Sequence, residues 1–144
     1  MWKTEYTAES PAGPEAIWQL MADVSSWPRW NKAVEAVELD GPFEAGTPGR
    51  LTPPGQEPLP FRVVEARRGE GYVSETDIAE TVTLRAENSI IERPDGTGCQ
   101  VVLRVCLVGP AADYFGQSFG PAIAAGLPRT GAALVAEAQS VRLS

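Results

Sequence analysis

Histidine is absent from this chain of 144 residues. Every mechanism that runs through an imidazole is thereby excluded: Ser-His-Asp and Cys-His catalysis, His-ligated zinc and the facial iron triad. Cysteine is nearly absent, with Cys99 and Cys106 the only two. They share one predicted strand at an odd separation, so they fall on opposite faces. At ~3.3 Å per residue they stand roughly 23 Å apart, whereas a disulfide requires Cα atoms within ~7 Å. They read as two small hydrophobes in a reduced compartment. No apolar run approaches the ~18 residues of a membrane span, and the opening MWKTEYTAES lacks the apolar stretch of a secretory leader. The expectation is no membrane span and a cytoplasmic location. Positive charge is scarce as well: 12 Lys and Arg against 19 Asp and Glu give a formal net charge of −7. An acidic surface repels phosphate and anionic headgroups, so no nucleic-acid partner is expected.

The composition that remains is that of an ordinary globular domain, 43% hydrophobic and 22% charged, long enough for one sizeable core. Residues 2 to 9 alternate strictly: Trp2, Thr4, Tyr6 and Ala8 face one side, and Lys3, Glu5, Thr7 and Glu9 the other, a half-buried strand. In SPAGPEAIWQLMADV, Pro14 suits the first helical position, and Ile17, Leu20, Met21 and Val24 recur at helical spacing. That helix stops near DVSSWP, where Pro28 is expected to push Trp27 out of the α region. A short second helical turn follows around Pro28–Lys32. Period-two patterning then predicts strands near Val34–Leu39, Gly49–Thr52, Phe61–Ala66, Gly71–Thr76, Thr81–Ile91 and Gln100–Val108. Their joints are too short for crossover helices, so the sheet is antiparallel. From Phe115 through Phe119, Ile123, Leu127, Leu134, Ala138 and Val141 a helical rhythm returns. Pro121 is a candidate opening of that helix and Pro128 a predicted kink.

The order strand, helix pair, six strands, long helix resembles the START-like, helix-grip (SRPBCC) superfamily, in its polyketide cyclase/dehydrase-like and lipid-transport-like branch. SPAGPEAIWQLMADVSSWPRWN is similar to that branch's opening helix and Trp-x-x-Trp segment. VELDGPFEAGTPGRLTPPG resembles its second and third strands, and GTGCQVVLRVCLVGP and GLPRTGAALVAEAQ its last strand and C-terminal helix. The resemblance implies an α+β, helix-grip fold over residues 1–144 as a single ligand-binding domain. A seven-stranded curved antiparallel sheet would surround the long C-terminal helix, with two short helices after the first strand and an apolar cavity inside. Such a scaffold carries binders, transporters and enzymes alike.

Several residues are candidates for that cavity. Trp27 and Trp30 are expected to close the open end of the sheet; the alternative is that Trp30 or Trp18 lines the cavity and stacks on a flat ligand. With only Arg29 and Lys32 nearby they make no single-strand stacking groove. Asn88 is the lone polar side chain among Val82, Leu84, Ala86 and Ile90, placed either to orient a ligand carbonyl or hydroxyl or to satisfy the fold itself. Glu75 and Arg104 are either a polar pair inside the cavity, with a raised carboxylate pKa suited to proton transfer, or a cross-strand ion pair outside. Tyr114, Phe115 and Phe119 are candidate gate residues at the cavity mouth, or core. TPGRLTPPG lacks the Lys-Ser/Thr and following helix of a phosphate loop. No cluster has metal-ligand spacing, and no cofactor is expected.

The leading expectation is therefore a binder or carrier of a small hydrophobic molecule, lipid-like or polyketide-like. The rivals are a cofactor-free polyketide aromatase/cyclase or dehydratase, in which pocket shape folds a flexible substrate, and a co-chaperone-like interaction module whose cavity is filled by its own side chains.

Overall fold

A computed structural model of the chain describes residues 1–143, with side chains through residue 140. It is an α+β arrangement in the order β1 (Trp2–Ser10), α1 (Pro14–Ala22), a 3-10 turn (Val24–Ser26), α2 (Trp27–Trp30), β2 (Ala36–Leu39), β3 (Pro48–Thr52), β4 (Leu59–Arg67), β5 (Gly71–Ala79), β6 (Val82–Glu92), β7 (Cys99–Val108) and α3 (Ala112–Leu143). The strands form one antiparallel sheet in the order β1-β7-β6-β5-β4-β3-β2. Its curvature and its long terminal helix make it the helix-grip fold.

The short helices follow from local chemistry. Pro14 opens α1, and Ile17, Trp18, Leu20 and Met21 bury one of its faces. Asp23 then caps the 3-10 turn, its carboxylate accepting from the Ser25 backbone N–H at 3.1 Å. Trp27 does not leave the helical region: its φ and ψ are −55° and −41°. The preference against helix before proline is modest, and burying the Trp27 indole to 3% exposure outweighs it.

Pro121 and Pro128 both lie inside α3, which begins nine residues before the first of them, at Ala112, and continues through both. Both prolines are exposed. The buried side of α3 also differs from the one the apolar rhythm marks. Phe119 is 52% exposed, whereas Gly116 and Gly120 are buried beneath the Trp2 indole. A Cβ at Gly116 would fall 2.5 Å from the Trp2 ring, and one at Gly120 2.6 Å from it. Glycine thus lets the helix axis come close to β1, and counting apolar residues misses it. Leu127, Leu134 and Ala138 continue the buried stripe; the Val141 side chain lies outside the described residues.

Candidate functional site

Alternation along the strands decides which side chains face α3. On β5 the inward residues are Tyr72, Ser74 and Thr76, and the outward ones are Val73, Glu75 and Asp77. Opposite them on β6, Asn88, Ala86 and Leu84 point inward. On β7 the inward set is Leu103, Val105 and Leu107.

The concave face holds two separate apolar clusters. The larger gathers α1, α2, Phe61, Val63, Tyr72, Ile90, Leu103, Leu127 and Leu134. The smaller joins Val82, Leu84, Leu107 and Ala112 with Trp2, Phe115 and Ile123. From the larger cluster runs the cross-strand row Val63–Ser74–Ala86–Val105, with Val63 in that cluster and Val105 packed against it. Its two middle members are small, and Ala86 and Val105 are only half-buried although they face inward. α3 packs chiefly over β1 and β7 and leaves the β4–β5 side to α1 and α2. Ser74 and Ala86, both small, thus form a strip across the middle of the concave face, beside the larger apolar cluster.

Polar atoms line that strip. The Asn88 amide donates to the Tyr72 phenol oxygen at 2.7 Å. Burial pushes the Tyr72 pKa well above its ordinary value, so the phenol stays protonated; the Asn88 contact acts weakly in the opposite direction. Ser74 and Thr76 are 4% and 5% exposed. Among the described residues their hydroxyls have no hydrogen-bond partner, yet no fully buried side-chain oxygen is left unpaired. Their oxygens therefore keep some accessible surface. Gly71, at φ 138°, starts β5 against the Asn88 carbonyl, where a Cβ would fall 2.1 Å from that oxygen.

The aromatic residues of SWPRWN close one end. Trp27 stacks on Tyr72 at 5.4 Å and meets Phe61 at 5.8 Å and Trp30 at 5.9 Å. Its indole N–H donates to the Met21 carbonyl, and that of Trp30 to Ser26 Oγ. Trp30 is 1% exposed. Trp18 packs edge-on against Phe43.

Glu75 and Arg104 stand on the convex face, outside the space between sheet and α3, and do not touch each other. Glu75 bridges Arg62 at 2.9 Å and Arg85 at 3.1 Å. Arg104 bridges Glu87 at 3.2 Å and Glu5 at 2.6 Å. With Asp77 on Arg62 and Glu87 on Arg85, these pairs form a continuous ladder over β4, β5, β6, β7 and β1. In the ladder, Asp77 and Glu87 are held below the usual carboxylate range, chiefly by hydrogen bonds from Arg62 and Arg85 respectively. These are stable anions, not proton shuttles. A depression of about 370 Å³ on this face is lined by Lys3, Thr4, Glu5 and Arg104, and one of about 240 Å³ at the start of β5 mixes charged residues with Gly71, Tyr72, Val73, Asn88 and Ser89.

At the start of α3, Tyr114 is 75% exposed, and Phe119 stacks on the half-buried Phe115 at 4.5 Å. Burial raises the pKa of both thiols, Cys99 on the concave side and Cys106 on the convex side. Among the described residues no group of His, Cys, Asp or Glu could hold a metal ion, and no helix is long and apolar enough to cross a membrane.

The candidate residues thus separate: Asn88 faces the strip, Phe115 packs against the smaller cluster, and Trp30, Glu75, Arg104 and Tyr114 are elsewhere. Tyr72, Ser74 and Thr76 were not singled out by the sequence. Their strand, GYVSETDIA, carries polar and apolar residues on both faces, so alternation alone does not say which is inner.

The sequence profile of the family described as polyketide cyclase / dehydrase and lipid transport matches residues 1–137. The chain belongs to this family. Solved structures share the fold at low identity. A Staphylococcus aureus protein of unknown function superimposes with a TM-score of 0.76 at 11% identity, covering 99% of this chain and 96% of that one. The di-domain aromatase/cyclase StfQ of steffimycin biosynthesis gives 0.73 at 11%, covering 99% of this chain and 52% of StfQ. Ara h 8.0201 gives 0.66 at 16%, over 94% and 98% of the two chains. No curated protein matches the chain significantly.

Proposed function

We propose that the chain binds a small hydrophobic molecule, lipid-like or polyketide-like, on the concave face of β5 and β6. One observation carries this reading: the two apolar clusters do not merge. A core designed only for stability would fill the Ser74–Ala86 row with larger side chains. Here the row is small, and Ala86 stays half-buried beside Leu84, Val105 and Tyr72. Membership in a family of cyclases, dehydrases and lipid-transport proteins supports the same class of ligand.

A cyclase acting in this strip would have to move protons with Tyr72, Asn88, Ser74, Thr76 or water, because Glu75 and Arg104 lie on the other face. Binding needs no such step and is the reading adopted.

Mass spectrometry of the purified protein, native and then denatured, tests it. A small-molecule adduct present only in the native spectrum is the expected result. A clean mass, combined with no thermal stabilisation by fatty acids or fused aromatics, overturns the proposal. Filling the strip by Ala86→Leu should remove any stabilisation while leaving the melting temperature within a few degrees of wild type.

A further inference from the structure

The two halves of α3 are held to the sheet by different means. Within residues 112–126 the buried positions are Ala112, Gly116 and Gly120, while Phe115 and Ile123 are half-buried against the smaller cluster. Beyond them Leu127, Leu134 and Ala138 are buried in the larger cluster, with Ala133 and Val135 packed against it. The halves meet at Gly126, Leu127 and Pro128, where two of three residues disfavour helix. Pro128 has no N–H to give the Ala124 carbonyl, so the helical ladder lacks a rung there. Gly126 is the odder of the two. The other glycines of α3 each permit a close approach: a Cβ would fall 2.5 Å from the Trp2 ring at Gly116, 2.6 Å from it at Gly120, and 3.1 Å from Ala8 at Gly131. At Gly126 a Cβ would meet nothing within 4 Å, and the backbone is not at positive φ. Alanine would fit and would be the better helix former. What glycine supplies at 126 is freedom to bend. At the other end Gly109, at φ 117°, and Pro110 join β7 to α3.

We infer that residues 112–126 form a strap that opens as a unit, hinged at Gly109–Pro110 and at Gly126–Pro128, while the sheet and the distal half of α3 stay folded. Trp2 holds the strap down, its indole lying against Gly116 and Gly120. Opening uncovers that indole together with Val82, Leu84 and Leu107. Segments that open below the global unfolding energy are those with few buried apolar contacts. The strap fits that description, because none of its large side chains is fully buried. The distal half does not, because Leu134 is 0% exposed and Leu127 8%. The inference rests on helix composition and packing alone, and it stands whatever the concave face binds.

Native-state hydrogen exchange of the full chain tests it, read by mass spectrometry of peptic peptides at several urea concentrations below the unfolding transition. Peptides within 112–126 should exchange roughly tenfold or more faster than those within 129–140 and those of β6 and β7. Their exchange should also depend less on urea, because opening the strap exposes less surface than unfolding the protein. Exchange of the whole of α3 at one rate overturns the hinge. Exchange of 112–126 at the rate and urea dependence of β6 and β7 overturns the strap altogether. The double variant G126A/P128A removes both helix breakers at sites where neither side chain fills a buried space. Exchange over 112–126 should slow in it by roughly tenfold or more, as a hydrogen bond and better helix formers are restored. Circular dichroism and thermal melting establish that the variant is folded. An unchanged strap rate in the folded variant overturns the assignment of the hinge to these two residues.

Discussion

At Trp27 one side chain meets Phe43, Phe61, Tyr72 and Trp30, and its N–H closes the C-terminal end of α1 through the Met21 carbonyl. Trp27→Ala should therefore cost about 3–5 kcal/mol, the range for deleting a buried large aromatic, measured by urea unfolding. Tyr114→Ala, at a site 75% exposed, should stay within about 0.5 kcal/mol of wild type. The two thiols are buried and their pKa values are raised. Native protein should thus react with a thiol reagent far more slowly than unfolded protein, and a fast native reaction would contradict this burial. Asn88 was legible in the sequence because it interrupts an otherwise apolar face. Ser74 and Thr76 were not, since hydroxyls on a mixed strand carry no such contrast. The face of Arg104, left open between cavity and outer ion pair, was not legible for the same reason: β7 is apolar on both faces, Val102 and Cys106 outward and Val101 and Leu103 inward, so neither side announces itself.

At the scale of elements, the strands and the helix pair could be read almost to the residue. Short joints and period-two patterning are local signals that the strands follow, whereas the prolines misplaced two boundaries: Trp27 stays helical before Pro28, and α3 begins well before Pro121. α3 could be read as a helix, but not in how it docks, because its closest approach to the sheet is made by glycines. This gives a paired prediction. Alanine is the better helix former by about 1 kcal/mol, yet Gly120→Ala places a Cβ within 2.6 Å of the Trp2 ring. It should lower the melting temperature. Gly126 has nothing within 4 Å of its virtual Cβ, so Gly126→Ala should raise stability by about 0.5–1 kcal/mol. A calorimetric comparison of the two variants reads the docking of α3 directly.

For the molecule as a whole, the convex ladder sets the response to acid. Asp77 and Glu87 titrate below the normal carboxylate range in the fold but within it when unfolded. Their contribution is present above that range and is lost as pH falls through their depressed values. The melting temperature should hold on going from about pH 7 to about pH 5 and then decline towards pH 3. Replacing Asp77 and Glu87 by amides should flatten the decline. The topology has a consequence of a different kind. β1 is made before the strand it pairs with, β7, and before the helix that covers Trp2, α3. Until both have been made, the nascent chain holds an unpaired strand with an uncovered tryptophan. The making of α3 is thus what removes that aggregation-prone surface.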